Sequence, residues 1–439
     1  MRDSRVSSFL ERFDFSLSAY DVEKMTCGLL ADMRRSLDTN GGGDELMLAT
    51  HRTLPARIES SKTAIVIDAG GTNLRSCLVS FDGAGEPAIE RVRKTAMPGM
   101  TISYAKEAFF DEIAANLDYV KDASETIGFC FSYGMEMLEN GDAKILELSK
   151  EIKGESIVGS LAGASLAEAL ARRGWKKKMR IVVVNDAAAA LLAGFAGREG
   201  GKAYASYAAF ILGTGLNSAY IEYEKIGKLS DPARLQNQIV VCESGSFSSL
   251  PRSAFDCEID AASTTKGMYA LEKMCGGVYL AELASCVLRR ACEQALVSDE
   301  AVQALGRAEK LSLSDVDGFL RAPSADQALL AGVSFANAPS DFDALYSVFD
   351  ALIERAVRIA SAVAAAAVIK TGRGKDPSHP VCLVCNGTTF YKTHDFEKRF
   401  RSYTRHVLTE TRGIYVDAVS VRDDIAIGSA AAALGADFV

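Results

Sequence analysis

"AIVIDAGGTNLRSCLVSF", residues 64–81, is a β-branched apolar run that reaches Asp68, breaks over Gly70-Gly71-Thr72-Asn73 and resumes as a second apolar run. A turn between two strands favours glycine and asparagine, so a plain hairpin accounts for the pattern. The same residues suit a phosphate cradle. Backbone N–H groups of such a turn can point outward together, and glycines without Cβ atoms let a phosphate approach closely. Thr72 and Asn73 add neutral donors, Arg75 could add a cation for a phosphoryl group, and Asp68 could hold a water on Mg2+. The spacing is neither a Walker loop nor a Rossmann fingerprint, because a strand follows and not a helix.

Recurrence shifts the balance towards the cradle. "YAAFILGTGLNSAYIEY", residues 207–223, repeats the layout of strand, Gly/Thr turn carrying an asparagine, and strand. Two such units imply an internally duplicated α/β architecture, and their turns could close on a nucleotide's phosphates from opposite sides. Two unrelated hairpins would leave the same trace. Between them "RIVVVNDA" runs into the alanine-rich "AAAALLAGFAG", a strand-to-helix junction with Asn185-Asp186 at the strand's carboxyl end. Ligands of open α/β sheets bind at that edge. Asp186 therefore reads either as a helix cap or as a general base. Ser132, Ser149, Lys150, Asn217, Glu243 and Glu272 suit a hydroxyl-rich ligand, since amide and carboxylate groups can bridge neighbouring hydroxyls. Each of them alone is more often an ordinary solvated group, and only their order along the chain singles them out.

The rest of the chain fits around these units. Residues 1–50 read as helical until "TNGGGDE" breaks the pattern, and strand signals follow at 64–68, 74–81 and 127–132. "SIVGSLAGASLAEALARRG" is a helix closing at Gly174. Residues 256–296 and 300–335 read as mostly helical. "DALYSVFDALIERAVRIASAVAAAAVIKTG" is apolar on most faces and therefore a buried helix, ending at Gly372. Strands "VCLVCNG" and "IYVDAVSV" and a final alanine-rich helix complete the order. At 439 residues two domains are expected, and without a low-complexity linker the chain should cross between them more than once.

Composition excludes several classes of function. A net charge of −8 argues against a nucleic-acid partner. No uncharged apolar run of about 18 residues offers a membrane span. Charges through "MRDSRVSSFLERFDFS" argue against export. The ten cysteines sit mostly singly in apolar runs, as small buried hydrophobes do. Cys382 and Cys385 lie three apart on a strand and face opposite ways, and the four histidines are scattered, which together argue against a zinc site. Reduced thiols in a cytoplasmic protein are expected.

In order, "LPARI", "IDAGGTNLRSCLV", "GFCFSYG", "LELSKEIKG", "VVVNDAAAALLAG", "LGTGLNSAYIE", "CESGSF" and "GMYALEKMCGGVYLAE" resemble the segments of the hexokinase family, over roughly residues 20–439. The resemblance implies an α/β, two-domain actin-like ATPase (ribonuclease H-like) fold. A ligand cleft would separate a small domain, 57–188 plus 420–439, from a large one, 1–56 plus 189–419. It implies a hexokinase that uses ATP with Mg2+ to phosphorylate a hexose, glucose foremost, at the 6-hydroxyl, feeding glycolysis. Asp186 would be the base, acting with Thr214 and Arg75 on the phosphoryl group. Ser132, Ser149, Lys150, Asn185, Asn217, Glu243 and Glu272 would hold the sugar. Asp68, Gly70, Gly71, Thr72, Asn73, Thr214, Gly215, Gly387, Thr388 and Gly428 would face ATP, with Mg2+ near Asp68 and Asp186 through water. The partners would be hexose and ATP, with no nucleic acid and no membrane, in a monomer or homodimer.

The chain departs from the family pattern at several places. Ser149 replaces a threonine, "FSYGME" lacks a proline after its aromatic, Ser244 replaces an aromatic and Asn386 an aspartate. The terminal Gly-Ser-Gly is replaced by Asp424-Ile425-Ala426. These changes fall most heavily on the donor side. They leave open a different phosphoryl donor, a different sugar, or a non-catalytic sugar sensor on the same fold.

Overall fold

In a computed structural model of the chain, residues 4–38, 47–148, 152–175, 178–197, 202–229, 236–305 and 310–436 are described. Eleven strands carry the architecture: β1 (Leu48–Thr53), β2 (Thr63–Gly70), β3 (Asn73–Phe81), β4 (Pro87–Ala96), β5 (Thr126–Phe131), β6 (Arg180–Val184), β7 (Ser206–Leu212), β8 (Leu216–Glu222), β9 (Gln238–Val241), β10 (Val381–Asn386) and β11 (Val416–Val419). They form two sheets, ordered β4-β3-β2-β5-β6 and β1-β9-β8-β7-β10-β11. Within each, three consecutive strands pair antiparallel and two more add in parallel beside the first of them. The duplication expected from the two turns is therefore a duplication of whole sheets, with β1 appended to the second.

Some elements differ from the expectation drawn from composition. Residues 1–50 are not helical to the end, because Leu48–Thr53 is a strand on the edge of the second sheet. Strand β4 carries Glu90, Arg91, Arg93 and Lys94, all exposed, on the edge of the first sheet. Charges suit an unpaired edge and hide it from a hydrophobicity pattern. Strand β2 also runs two residues past Asp68, which pairs in register with Arg75.

Three helices explain how the sheets are joined: α1 (Asp186–Ala196), α2 (Pro339–Lys370) and α3 (Asp424–Leu434). Helix α1 follows the last strand of the first sheet but packs on β7, β8 and β10 of the second. Helix α3 follows the last strand of the second sheet but packs on β2, β5 and β6 of the first, and against α1. One continuous apolar layer holds this pair between the sheets, from Ala64, Val66 and Val184 to Ala209, Ala219 and Val384. Alanines and glycines permit the close approach. A Cβ on Gly428 would lie 1.7 Å from the Ala189 carbonyl oxygen of α1, and one on Gly128 would lie 2.3 Å from that of Ser429. The long helix α2, capped by Gly372 in the left-handed region, covers the outer face of the second sheet. The helices Lys106–Ala115 and Ala162–Arg172 cover the outer face of the first. All ten cysteines are free, and among the described residues no helix is long and apolar enough to cross a membrane.

Candidate active site

The carboxyl ends of the central strands face one another, and four segments meet there. The turn between β2 and β3 contributes the first. Asp68, Gly70 and Gly71 are half-buried, and Thr72 and Asn73 are exposed. The Asn73 amide donates to Thr72 Oγ1 at 3.0 Å, and the Tyr133 hydroxyl donates to the Gly71 carbonyl at 3.2 Å. A side chain on Gly70 would come within 3.4 Å of Asp68 Oδ1 and 3.8 Å of Ser132 Oγ, so Ser132 joins this turn.

The β6–α1 junction contributes the second. Asn185, buried in its β conformation, caps α1 by accepting from the Ala187 amide at 2.8 Å. With the cap supplied by Asn185, Asp186 stands as the first helical residue, half-buried, its Oδ1 also accepting from Ala187. Capping therefore does not require Asp186.

The second sheet contributes the third. The Asn217 amide donates to Glu243 Oε1 at 3.2 Å, and the Asn185 amide reaches the same oxygen at 3.5 Å. Glu272 Oε2 accepts from the Leu216 amide at 3.0 Å. The turn at Gly213–Gly215 is tightly walled. A Cβ on Gly215 would sit 2.2 Å from Glu272 Oε2, and the Gly213 carbonyl accepts from the Gly277 amide at 2.9 Å and from Thr389 Oγ1 at 2.8 Å. Thr214 at its tip is exposed. Gly387 lies beside this turn, and Thr388 is exposed at the start of the helix Thr388–Lys392.

The fourth segment is where the sequence departs from the family pattern. The Asn386 amide, at the end of β10, donates to both carboxylate oxygens of Asp424, at 2.6 and 2.5 Å. Next to it Asp423, in the left-handed region, pairs with Arg75 at 2.7 Å. Arg75 is thus engaged by a carboxylate at the mouth of the first turn.

Electrostatics binds the segments together. Burial pushes the Cys130 thiol well up, and the carboxylates of Asp68, Asp186 and Asp424 push it further. Burial also raises the Asp424 carboxyl, opposed by the Asn386 amide and reinforced by Asp186 and Asp423. The charges of Asp68 in the first turn, Asp186 on α1 and Asp424 on α3 are thus all felt at one buried thiol.

Two hexokinase family models match the chain, one over residues 6–195 and the other over residues 207–435. The chain belongs to the hexokinase family. Hexokinase-1 of Nicotiana tabacum is 29% identical over 313 residues, covering 66% of this chain and 61% of that protein. Hexokinase-1 of Oryza sativa subsp. japonica is 26% identical over 447 residues, covering 93% of this chain and 86% of the other. The chain spans less than two thirds of the length of several such relatives, 59% for Hexokinase-1 of Schizosaccharomyces pombe and 63% for Hexokinase-2 of Solanum tuberosum. A solved structure, the hexokinase from Schistosoma mansoni complexed with glucose, superposes with a TM-score of 0.79 at 23% identity over 98% of both chains, which shows the hexokinase fold.

Within this hexokinase fold most of the expected residues gather at one place, and a few do not. Gly428 lies inside α3 against α1, where it serves helix packing. Ser149 and Lys150 lie outside the described residues. Sequence reasoning passed over Asp423, Tyr269 and Glu147. The Tyr269 hydroxyl donates to Glu147 Oε2. A tyrosine three residues before a helical glutamate carries no signal of its own in the sequence.

Proposed function

We propose that the chain is an ATP-dependent hexose 6-kinase, with glucose as its foremost substrate. The observation that carries this reading is the cluster Asn185–Glu243–Asn217, which ties the strand end bearing Asp186 to polar side chains of the opposite sheet. A hydroxyl-rich ligand held by Glu243, Asn217 and Glu272, with Ser132 opposite, would present a terminal hydroxyl to Asp186. Asp186 accepts its proton as the phosphoryl group transfers. Phosphoryl transfer runs through a loose transition state, so alignment and charge stabilisation provide most of the rate. Backbone amides of the two turns, Thr214 and Arg75 supply that stabilisation from the protein.

The donor set suits Mg2+ carried in with the nucleotide. Asp68 and Asp186 offer hard oxygen ligands, and among the described residues no group of three or more acidic, histidine or cysteine side chains forms a complete metal cage. Most of the metal's shell would then be phosphate and water, with Asp68 and Asp186 holding two of those waters. Bound there, Mg2+ would neutralise charge developing on the transferred phosphoryl group. The small body 57–188 plus 420–439 and the large body 1–56 plus 189–419 would close over the sugar and exclude water, the competing acceptor.

The test is sugar-dependent ADP release from MgATP with glucose, mannose, fructose, glucosamine and N-acetylglucosamine. Asp186→Ala should lose on the order of 10²–10⁴ in turnover while still binding sugar. Full turnover in that variant would remove Asp186 from its role. A second reading, a different phosphoryl donor, is favoured by the Asn386–Asp424 pair in the donor segment. It predicts glucose binding without ADP release, and phosphorylation once another nucleoside triphosphate or pyrophosphate replaces ATP. Glucose binding without phosphorylation by any donor would identify a sensor.

A further inference from the structure

Tyr269 stands at a junction that the proposed reaction does not explain. Its backbone is left-handed, φ 53° and ψ 41°, as is that of Glu243, φ 50° and ψ 49°. Residues other than glycine pay free energy to adopt this conformation and keep it only where the surroundings impose it, commonly at ligand sites. The imposing surroundings are visible here. Asp260 accepts from Lys273 Nζ at 2.7 Å and from the Gly267 amide at 3.0 Å, and Lys273 also donates to the Thr265 carbonyl at 2.6 Å. These contacts pin the approach to Tyr269, and the Ala270–Cys275 helix that follows carries Glu272.

The partner of Tyr269 comes from the other side of the molecule. Glu147 follows the hairpin strand Ala143–Ile145, whose Ala143 and Ile145 belong to the core under the first sheet. Leu271, two residues after Tyr269, belongs to the core of the second sheet. The Tyr269–Glu147 hydrogen bond therefore spans the two cores, beside the residues assigned to the sugar. Burial raises the Tyr269 hydroxyl, and its hydrogen bond to Glu147 and the carboxylates of Glu147, Glu243 and Glu272 raise it further. The phenol remains a hydrogen-bond donor among three carboxylates.

We propose that Tyr269 is a positioning residue for the sugar, its hydroxyl latching Glu147 across the rim of the cleft so that hexose affinity depends on the pair while the chemical step at Asp186 does not. This rests on the hexose-kinase reading above. Tyr269 touches Glu147, and through it ties the segment after the hairpin 135–145 to the body that carries Glu243 and Glu272. A latch of this kind differs from a sugar ligand in what its loss changes. It lowers the population of the closed arrangement and leaves the closed arrangement's reactivity intact.

The experiment uses the full chain in two backgrounds. Glucose binding is measured by calorimetry in Asp186→Ala, and KM and kcat are measured with an otherwise unaltered chain. Tyr269→Phe keeps the ring and deletes the donor; it should weaken glucose binding and raise KM about tenfold, the worth of one hydrogen bond to a charged group, with kcat within about twofold. Glu147→Ala should reproduce that shift from the other body, so the test does not depend on one variant folding. Glu147→Gln retains an acceptor oxygen and should recover most of the affinity. Tyr269→Phe combined with Glu147→Ala should be no worse than either alone, because the two share one interaction. Unchanged glucose affinity in Tyr269→Phe, or additive losses in the double variant, would overturn the latch and leave the kinase reading standing. No glucose binding and no sugar-dependent turnover in the unaltered chain would overturn the kinase reading, and the latch with it.

Discussion

The two turns at the centre of this molecule occupy the same place in two sheets of the same topology, yet they are built to different standards. The turn at 70–73 is loosely surrounded. A Cβ on Gly71 would meet nothing within 4 Å, and Thr72 and Asn73 are exposed. The turn at 213–215 is walled in by Glu272, Gly277 and Thr389, all of them in contact with its backbone or with the space a side chain would fill. Duplication of a fold does not duplicate the mechanics of its sites. One turn has room to adjust to a ligand, and the other is fixed by the element that also carries Glu272, the glutamate proposed to hold the sugar.

Substitutions at the two glycines should separate the turns most widely. Gly215→Ala drives a Cβ into Glu272, whose displacement by about 1 Å should cost on the order of 10²-fold in kcat/KM for glucose. Gly71→Ala meets no neighbour and should cost only the backbone strain of a positive φ, about 1–2 kcal/mol of stability by denaturant titration, with a small change in glucose affinity. Equal losses in glucose kcat/KM at both positions would erase the contrast. Next in size, Asp423→Asn releases Arg75 from a pair about a quarter exposed on each side. Stability should change by no more than about 1 kcal/mol, whereas KM for MgATP should fall as the guanidinium becomes available to phosphate. A rise in KM would show that Asp423 instead holds Arg75 in its working position.

The smallest effect concerns pH. The hydrogen bond from Lys273 holds the Asp260 carboxyl down to about 2, below its ordinary value near 3.8. A depressed carboxyl contributes stability that is present above its unfolded value and lost as pH falls through the folded one. Acid should therefore loosen the wall of the second turn between about pH 4 and pH 2, read by amide exchange at Leu216 and Gly277, before the first turn responds. Asp260→Asn should flatten that dependence.

The contrast between the turns was not legible in the residues, but much of the fold around them was, for identifiable reasons. Both hairpins and the β6–α1 junction announce themselves by apolar runs broken at glycine or asparagine, a local pattern that nothing distant overrides. Strand β4 escaped notice because its charges face solvent on an edge, and β1 because a short half-buried strand looks like the end of a helix. Of the residues proposed for the site, Asp186, Asn217, Glu243 and Glu272 drew attention through their order along the chain. The Asn386–Asp424 pair was visible only as two separate departures; the fold joins them into one hydrogen-bonded unit, so the second change answers the first. Gly428 was read as a glycine facing ATP and lies between two helices, and glycines of the two kinds look alike in sequence.

The exchange of helices between the sheets governs how the protein can be made. During synthesis the first sheet is complete once Val184 has emerged, but the face that α3 will cover stays bare until α3 itself leaves the ribosome. The amino-terminal half must therefore wait, with an apolar surface open to chaperones or to a neighbouring nascent chain, for a helix encoded more than two hundred residues later.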